Sequence, residues 1–441
     1  MTDIIPRRYS LNKGAFAAVC RLRQMKGFMM NFREDAEKIE NEIIGIRRQL
    51  HAHPELSFRE KETTAFIGKE LERLGLEPGF FPDYCGVWTD ITGKKTVPGS
   101  RTVLLRADID ALPVQEATGL PFSSENPGVM HACGHDTHTA MLLGAARILA
   151  EHRDELPGTV RLLFQSAEES CYGAEYYVKK GLLEHVDAVY GCHVWATLDA
   201  PYINICNGAR MSSCDNFTIT VKGSAAHGSA PNDGVDAIVI AAAIIMQLQT
   251  IISRRSDPRD AVAITIGEIA GGQRFNIIAD HVCMKGTART HSPEVRRRLE
   301  EWIRNVVENT ARANGGAAEL EYEYYPGVLM NDPHLAELAR TAAVKLYGGD
   351  ALREHPAVMA SEDFSYYLEQ VPGVFAFLGS RNAQKGICAA QHSEGFDVDE
   401  CVLKRGAALY AQFAYDFLAE EKEEEKHEDI YQRQICHTSD A

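Results

Sequence analysis

The sequence has no stretch that approaches the roughly 18 consecutive apolar residues needed to span a bilayer. It also has fewer basic than acidic residues, 46 Lys and Arg against 62 Asp and Glu, for a formal net charge of -16. Binding to nucleic acid without sequence preference needs a basic surface, so we expect neither a nucleic-acid partner nor a membrane partner. An acidic surface still permits an acidic substrate, because local arginines or a metal ion reverse the field inside a cleft.

The 11 cysteines form no Cys-x-x-Cys pair and no short repeated framework. A thiol redox site and a disulfide scaffold are therefore not indicated, and we expect free thiols in a cytoplasmic protein. A zinc nucleobase deaminase needs His-x-Glu followed by Pro-Cys-x-x-Cys, and this pattern is absent.

The two ends of the chain differ from the rest in charge. Residues 1–33 carry seven Lys or Arg against one acidic residue, and the apolar run at 15–19 is too short for a signal peptide. We expect residues 1–30 to form a poorly ordered extension. From Glu420 onward, eight Asp or Glu stand against three Lys or Arg, which predicts an acidic tail over 420–441, frayed or disordered.

Short β-like runs alternate with helical patterns in the first half of the chain. The β-like runs lie at 87–91, 102–107 and 159–165. The helical patterns lie at 31–55, 63–76, 139–150 and 174–180. Strands alternating with helices of this length predict an α/β layered domain with a mixed, mostly parallel sheet.

The pattern changes near residue 214. Alternating strands and two long helices follow in the order β-α-β-β-α-β, which is the ferredoxin-like arrangement. We therefore predict a small α+β domain over 214–325, inserted between two halves of a catalytic domain at 31–213 and 326–419.

Five segments concentrate carboxylates and potential metal ligands. Asp108 directly follows a predicted buried strand, where ligands bind in α/β sheets, although Asp is also common in a turn or helix cap. Cys133 and His135 lie in an eight-residue segment with two further histidines and an aspartate, well beyond chance clustering. Thiolate and imidazole bind borderline divalent metals, so this segment predicts a metal site; the alternative is a structural zinc knuckle.

Glu168 and Glu169 follow the strand predicted at 159–165. Adjacent carboxylates on irregular backbone can point in different directions, so that one binds metal while the other serves as a general base. The alternative is two solvated acids at a helix start. His193 and His392, each alone, are explained equally well as core or edge histidines. Together the segments supply a ligand set of Cys133, His135, Glu169, His193 and His392.

These motifs resemble one family, the metallo-amidohydrolases that include aminoacylases, hippurate hydrolases, N-acetyl-diaminopimelate deacetylases and indole-acetyl-amino-acid hydrolases. The resemblance runs from about residue 47 to 417, through the segment at 47–56, all five segments above, and the segments at 272–276 and 361–364. It implies a di-metal peptidase-like catalytic domain with an inserted ferredoxin-like lid. Many relatives pair through this lid, so the resemblance allows a homodimer there.

Carried over position by position, the resemblance makes Cys133 a bridging ligand and Glu168 the catalytic base. It matches Asp108 to an acid that orients a ligand or assists the base. His227 matches a lid histidine that polarises the scissile carbonyl and can reach the site from a partner subunit. Asn276 and Arg289 match lid positions that hold the substrate carboxylate.

The chain departs from the family pattern in the lid. Ala225 and Ala226 precede His227 where the family often has two glycines, and Asn232 stands where a second histidine is common. These departures concern substrate choice and leave the ligand set intact.

The resemblance implies a metal-dependent amidohydrolase that cleaves small N-acyl amino acids. It implies two divalent ions, Mn or Zn, for which Co or Ni can substitute. A dipeptidase or carboxypeptidase on the same scaffold is the nearest alternative. A non-catalytic ligand-binding homologue is a weaker one, because all five ligands and Glu168 are present.

Overall fold

The structure is a computed structural model that describes residues 30–420. The predicted extension over 1–30 and the predicted tail over 420–441 lie outside the described residues, apart from Met30 and Glu420. Both expectations stay predictions.

The strands and α-helices of the described chain are as follows. The strands are Gly79–Phe81 (β1), Tyr84–Thr92 (β2), Thr102–Asp108 (β3), Thr159–Gln165 (β4), Ala188–Asp199 (β5), Ile203–Asn204 (β6), Gly208–Met211 (β7), Asp215–Lys222 (β8), Val262–Gly271 (β9), His281–Thr290 (β10), Ala317–Glu323 (β11), Leu329–Asn331 (β12) and Gly373–Arg381 (β13). The helices are Phe32–Lys38 (α1), Glu40–Ala52 (α2), Lys61–Arg73 (α3), His135–Glu151 (α4), Gly173–Lys179 (α5), Ala237–Arg254 (α6), Pro293–Ala313 (α7), Pro333–Tyr347 (α8), Ser365–Leu368 (α9) and Leu403–Ala419 (α10).

The larger sheet has seven strands in the order β1-β2-β4-β3-β5-β13-β6. Its central strands β4, β3, β5 and β13 run parallel, and the outer strands pair antiparallel. This confirms the predicted mixed sheet with a parallel centre. Because parallel strands need helical crossovers, both faces of such a sheet are covered by helices.

Alternation along β3 shows how the two faces of the larger sheet are filled. Val103 and Leu105 pack in one buried cluster with side chains of α1 to α4, α8 and α10. Leu104 points to the other face and packs with α5 and the segment around α9. Successive side chains of a strand point to opposite faces, so a continuous apolar run is expected in a strand buried on both sides.

The predicted strands at 87–91 and 102–107 lie inside β2 and β3, and the strand predicted at 159–165 coincides with β4. The helix predicted over 31–55 is wrong as a single element. It is two helices, since Ile39, with φ -103° and ψ 10°, interrupts the helical backbone between α1 and α2.

The second sheet has four antiparallel strands in the order β11-β8-β10-β9. Its chain order, β8-α6-β9-β10-α7-β11, is the predicted ferredoxin-like order. It has a buried core of its own, with Ile219 of β8, Ile244 of α6 and Leu299 of α7 among its members. The domain boundaries and the role of residues 214–325 as a lid stay predictions.

One helix in the described part of the chain, α6, is long and apolar enough to cross a membrane by length and composition alone. Its buried residues, including Ile240, Ile244 and Leu248, pack in the core of the four-stranded sheet. Core helices of globular proteins meet the same criteria of length and composition.

Candidate metal centre

The five sequence segments meet at one edge of the larger sheet. Asp108 ends β3 and lies opposite Gln165, the last residue of the parallel strand β4. His193 lies on β5, two residues past Gly191, which pairs with Arg106 of β3. Ligands bind at the carboxyl ends of strands in such sheets, so the location agrees with the expectation for an α/β fold.

The segment before α4 brings Cys133 and His135 to the same edge. His135 is the first residue of α4, and Gly134 before it has φ 97°, in the left-handed region. A Cβ atom on Gly134 would lie 2.5 Å from Cγ2 of Val194. Only glycine fits this turn without strain, and the turn aims the thiol and the imidazole at the same place.

The structure brings all five predicted ligands together around Cys133. The Cys133 Sγ atom lies 3.4 Å from Nε2 of His193 and 3.3 Å from Nε2 of His392. Oε1 of Glu169 lies 3.4 Å from His392 Nε2 and 3.9 Å from His135 Nε2. The ligand atoms of Cys133, His135 and His193 form one compact group, and those of Cys133, Glu169 and His392 form another. The thiol of Cys133 is common to both groups.

Two of these ligand atoms are buried without a hydrogen-bond partner among the described residues. They are Nε2 of His135 and Oε1 of Glu169, whose contact with His392 is an ion pair without hydrogen-bond geometry. A buried polar atom left without a partner is costly, so such atoms in a cluster suit a bound ion. Burial, then Glu169 and Glu168, raise the pKa of the Cys133 thiol well above its usual range. Thiolate, imidazole and carboxylate donors in a place that concentrates negative charge fit a pair of divalent cations.

Asp110, for which no role was predicted, orients two members of the ligand set. Its Oδ1 lies 3.1 Å from Nδ1 of His135, which leaves Nε2 of that ring directed into the cluster. Its Oδ2 accepts the backbone N–H of Glu169 at 3.0 Å. Carboxylates commonly orient metal-binding histidines in this way. The signal in the sequence was the spacing of Asp108 and Asp110, two carboxylates on alternate residues after a buried strand.

Asp108, the last residue of β3, is fully buried next to the site. Its Oδ1 lies 2.6 Å from Nδ1 of His138, and its Oδ2 accepts from Nη1 of Arg106 at 2.7 Å. Burial opposes its ionised form, but the charges of His135, His138 and Arg106 hold the pKa of Asp108 well below its usual range. Its hydrogen bonds go to His138 and Arg106, and its role of orienting a ligand or assisting the base stays a prediction.

Glu168 and Glu169 point in different directions, as predicted for adjacent carboxylates on irregular backbone. Ala167 before them has φ 63°, and a short 3₁₀ turn, Glu168–Ser170, follows. Oε1 of Glu168 accepts the backbone N–H of Asp363 at 3.4 Å, whereas Glu169 faces His392. Burial, then the charges of Glu362 and Glu169, raise the pKa of Glu168 well above its usual range.

The three predicted lid residues lie on the second sheet and its loops. The exposed His227 accepts at Nδ1 from the backbone N–H of Ser229, and Nη1 of Arg289 donates to the carbonyl of Met359 at 3.1 Å. Oδ1 of Asn276 is buried without a partner among the described residues. Between residues 30 and 420, no hydrogen bond or ion pair joins any of the three to the five predicted ligands. Their roles stay predictions.

Comparison with known proteins identifies relatives that are metal-binding peptidases and amide hydrolases by name. Residues 104–416 match the model of peptidase family M20/M25/M40. The N-acetyl-L-cysteine deacetylase of Bacillus subtilis (strain 168) is 41% identical over 373 residues, covering 84% of this chain and 87% of that protein. Thermostable carboxypeptidase 1 of Saccharolobus solfataricus is 38% identical over 391 residues, covering 87% of this chain and 98% of that protein. A crystal structure described as a dinuclear metal binding peptidase of the M20 family, from Bacillus subtilis, has a TM-score of 0.77 and 35% identity, covering 87% of this chain and 99% of that chain.

Proposed function

The chain belongs to peptidase family M20/M25/M40, and from this membership we propose that it hydrolyses the amide bond of N-acyl amino acids. The observation that carries the proposal is the shared thiol: Cys133 lies in both compact groups of ligand atoms, and Glu168 lies beside them. Relatives that deacetylate an N-acyl amino acid or remove a terminal residue support hydrolysis of a linear amide.

We assign the binding of two divalent ions to Cys133, His135, Glu169, His193 and His392. When bound, such an ion pair lowers the pKa of a water molecule and polarises the amide carbonyl. Thiolate and imidazole favour Zn, while carboxylate with imidazole also suits Mn, so we propose Mn or Zn, with Co or Ni able to substitute. The dinuclear relative supports the number of ions.

Glu168 acts as the general base. Its carboxylate takes a proton from the attacking water and passes it to the amide nitrogen that leaves as an amine. Asp363 fixes the direction of this side chain through its backbone N–H.

The second sheet is proposed to act as a lid and dimerisation domain over 214–325. His227 would stabilise the developing oxyanion, from the same chain or from a partner subunit, and Asn276 and Arg289 would hold the substrate carboxylate. The exposed, unpaired edge of β9 and the exposed apolar side chains Val239 and Met246 of α6 support a homodimer there.

A carboxypeptidase or dipeptidase on the same scaffold is the second candidate. The Saccharolobus relative favours it, because it aligns with 87% of this chain and is named for that activity. Both candidates share the metal centre and Glu168, and they differ in the acyl group that the pocket accepts.

We propose a cytoplasmic location for the enzyme, and the nine free thiols among the described residues support it.

The test is amine release from N-acetyl, N-benzoyl and N-indole-acyl amino acids and from dipeptides, with apo protein reloaded with Mn or Zn. We expect metal-dependent hydrolysis of one N-acyl class above the dipeptides. Preference for dipeptides would favour the peptidase. No hydrolysis of any amide, with two metals bound per chain, would contradict the proposal.

A further inference from the structure

Glu60 is a buried carboxylate outside every segment that the sequence analysis assigned to the site. It is the last residue before α3, and it is 0% exposed. Burying a carboxylate is costly unless hydrogen bonds compensate it. Burial, together with the charge of Asp110, raises the pKa of Glu60 to about 7. The hydrogen bonds that its two oxygens accept therefore have to offset the cost of burying this carboxylate.

Both oxygens of Glu60 bind the turn that carries the proposed base. Oε1 accepts the backbone N–H of Ala167 at 2.9 Å, and Oε2 accepts the hydroxyl of Ser166 at 2.7 Å. Ala167, with φ 63°, has the left-handed backbone conformation that residues with a Cβ rarely adopt. Such a conformation persists only where the surrounding structure holds it, and it commonly marks a functional turn.

The same turn is held from its other side by Asp110. Oδ2 of Asp110 accepts the backbone N–H of Glu169 and, at 2.6 Å, the hydroxyl of Ser57. Ser57 and Glu60 both lie in the loop before α3, so this loop contacts the turn directly through Glu60 and indirectly through Asp110. Glu168 lies between the two points of attachment.

We propose that Glu60 is a positioning residue for amide hydrolysis, which holds the backbone at Ser166 and Ala167 so that Glu168 is aimed at the attacking water. The inference rests on the proposed role of Glu168 as base. Glu60 acts through the turn and has no contact with substrate in this assignment. Small displacements of a catalytic group lower the rate steeply, because the reacting atoms must meet within hydrogen-bond reach.

The test compares Glu60→Ala and Glu60→Gln in the metal-loaded, full-length protein. Glutamine keeps an acceptor for the N–H of Ala167, so Glu60→Gln should retain most of kcat. Glu60→Ala removes both bonds and should lower kcat by about 10- to 100-fold with little change in KM. Metal content and thermal midpoint are measured for each variant.

Glu55→Ala is the matched control in the same loop. The Glu55 carboxylate accepts the backbone N–H groups of Glu62 and Thr63 at the start of α3 and does not contact the turn. Removal of the Glu55 carboxylate should change the thermal midpoint, but it should not lower kcat while KM stays nearly constant. An equal fall in kcat for Glu55→Ala and Glu60→Ala would overturn the proposal.

Amide hydrogen exchange in the peptide spanning residues 166–171 provides a readout that does not depend on turnover. Exchange should be faster in Glu60→Ala and close to wild type in Glu60→Gln and Glu55→Ala. Unchanged exchange in Glu60→Ala would overturn the positioning role. If the wild-type enzyme hydrolyses no amide, the proposed function fails on its own, while the exchange result still decides whether Glu60 holds the turn.

Discussion

At the scale of single residues, the buried carboxylates next to the metal centre are paired with a buried arginine and not with solvent. Arg106 is buried, and its guanidinium binds Asp108, Glu362 and Asp363 at distances of 2.7–3.0 Å. A buried ion pair is costly to break, because the remaining charge has no water to replace its partner. Glu168 differs from these carboxylates: it accepts a hydrogen bond from the backbone N–H of Asp363, and its Oε2 lies 4.0 Å from Nε2 of His135.

The substitution Glu168→Gln tests the base directly. Glutamine keeps the shape and can still accept from the N–H of Asp363, but it cannot take a proton. We expect turnover to fall by about 10²- to 10⁴-fold, while metal content, measured by mass spectrometry of the eluted metals, stays at the wild-type level. Glu169→Gln serves as the comparison and should lose metal as well as turnover. Retained turnover in Glu168→Gln would show that another group is the base.

At the scale of secondary-structure elements, the start of α4 determines where two ligands lie. The helix begins at His135, directly after a left-handed glycine whose backbone runs close to Val194 of β5. The positions of Cys133 and His135 are therefore set by the start of a helix and not by the tip of a loop. Sites attached to rigid elements are more precise than sites on mobile loops.

Gly134→Ala should destabilise the protein, because alanine is strained at φ 97° and its Cβ would contact Val194. We expect a loss of about 2–4 kcal/mol in the free energy of unfolding. Gly45→Ala is the control: Gly45 lies within α2, and a Cβ there meets nothing within 4 Å. That change should stabilise by up to about 1 kcal/mol. Denaturant midpoints measure both, and equal midpoints would contradict the close packing at Gly134.

At the scale of the whole molecule, the two sheets have separate buried cores and different surfaces. The larger sheet is covered on both faces, whereas the four-stranded sheet ends in an edge strand, β9, with Ile269 54% exposed. Met246 on α6 is 70% exposed, and Phe275 in the loop after β9 is 95% exposed. Unpaired edges and exposed apolar side chains are typical of surfaces that meet another subunit.

The proposed homodimer predicts twice the mass of one chain in size-exclusion chromatography with light scattering. Met246→Glu should shift the protein toward monomer, because a charge would be buried in the interface. Val97→Glu is the control, since Val97 is 64% exposed on the loop between β2 and β3 of the larger sheet. If the wild type is a monomer at micromolar concentration, or if both variants behave alike, dimerisation through this surface is wrong.

The sequence by itself was sufficient to predict elements and donor types. The strand at 159–165 and the β-α-β-β-α-β order are visible because burial imposes a local period on the chain. Cys133 and His135 are visible because metal-binding side chains cluster within a few residues. These signals are local, so one window of sequence contains each of them in full.

Tertiary structure alone decided which distant residues meet. His392 reaches Cys133 across 259 residues of chain, as the predicted ligand set requires, and Glu60 reaches Ser166 across 106, which no sequence pattern predicted. In the sequence, Glu60 is one more acid before a helix, and the spacing of Asp108 and Asp110 draws attention to Asp110 without identifying its partners. Which partner each one meets depends on strand order and helix packing, which are set jointly by many weak contacts along the whole chain. For that reason the ligand types could be predicted locally, while the groups that aim them were identified only in the folded molecule.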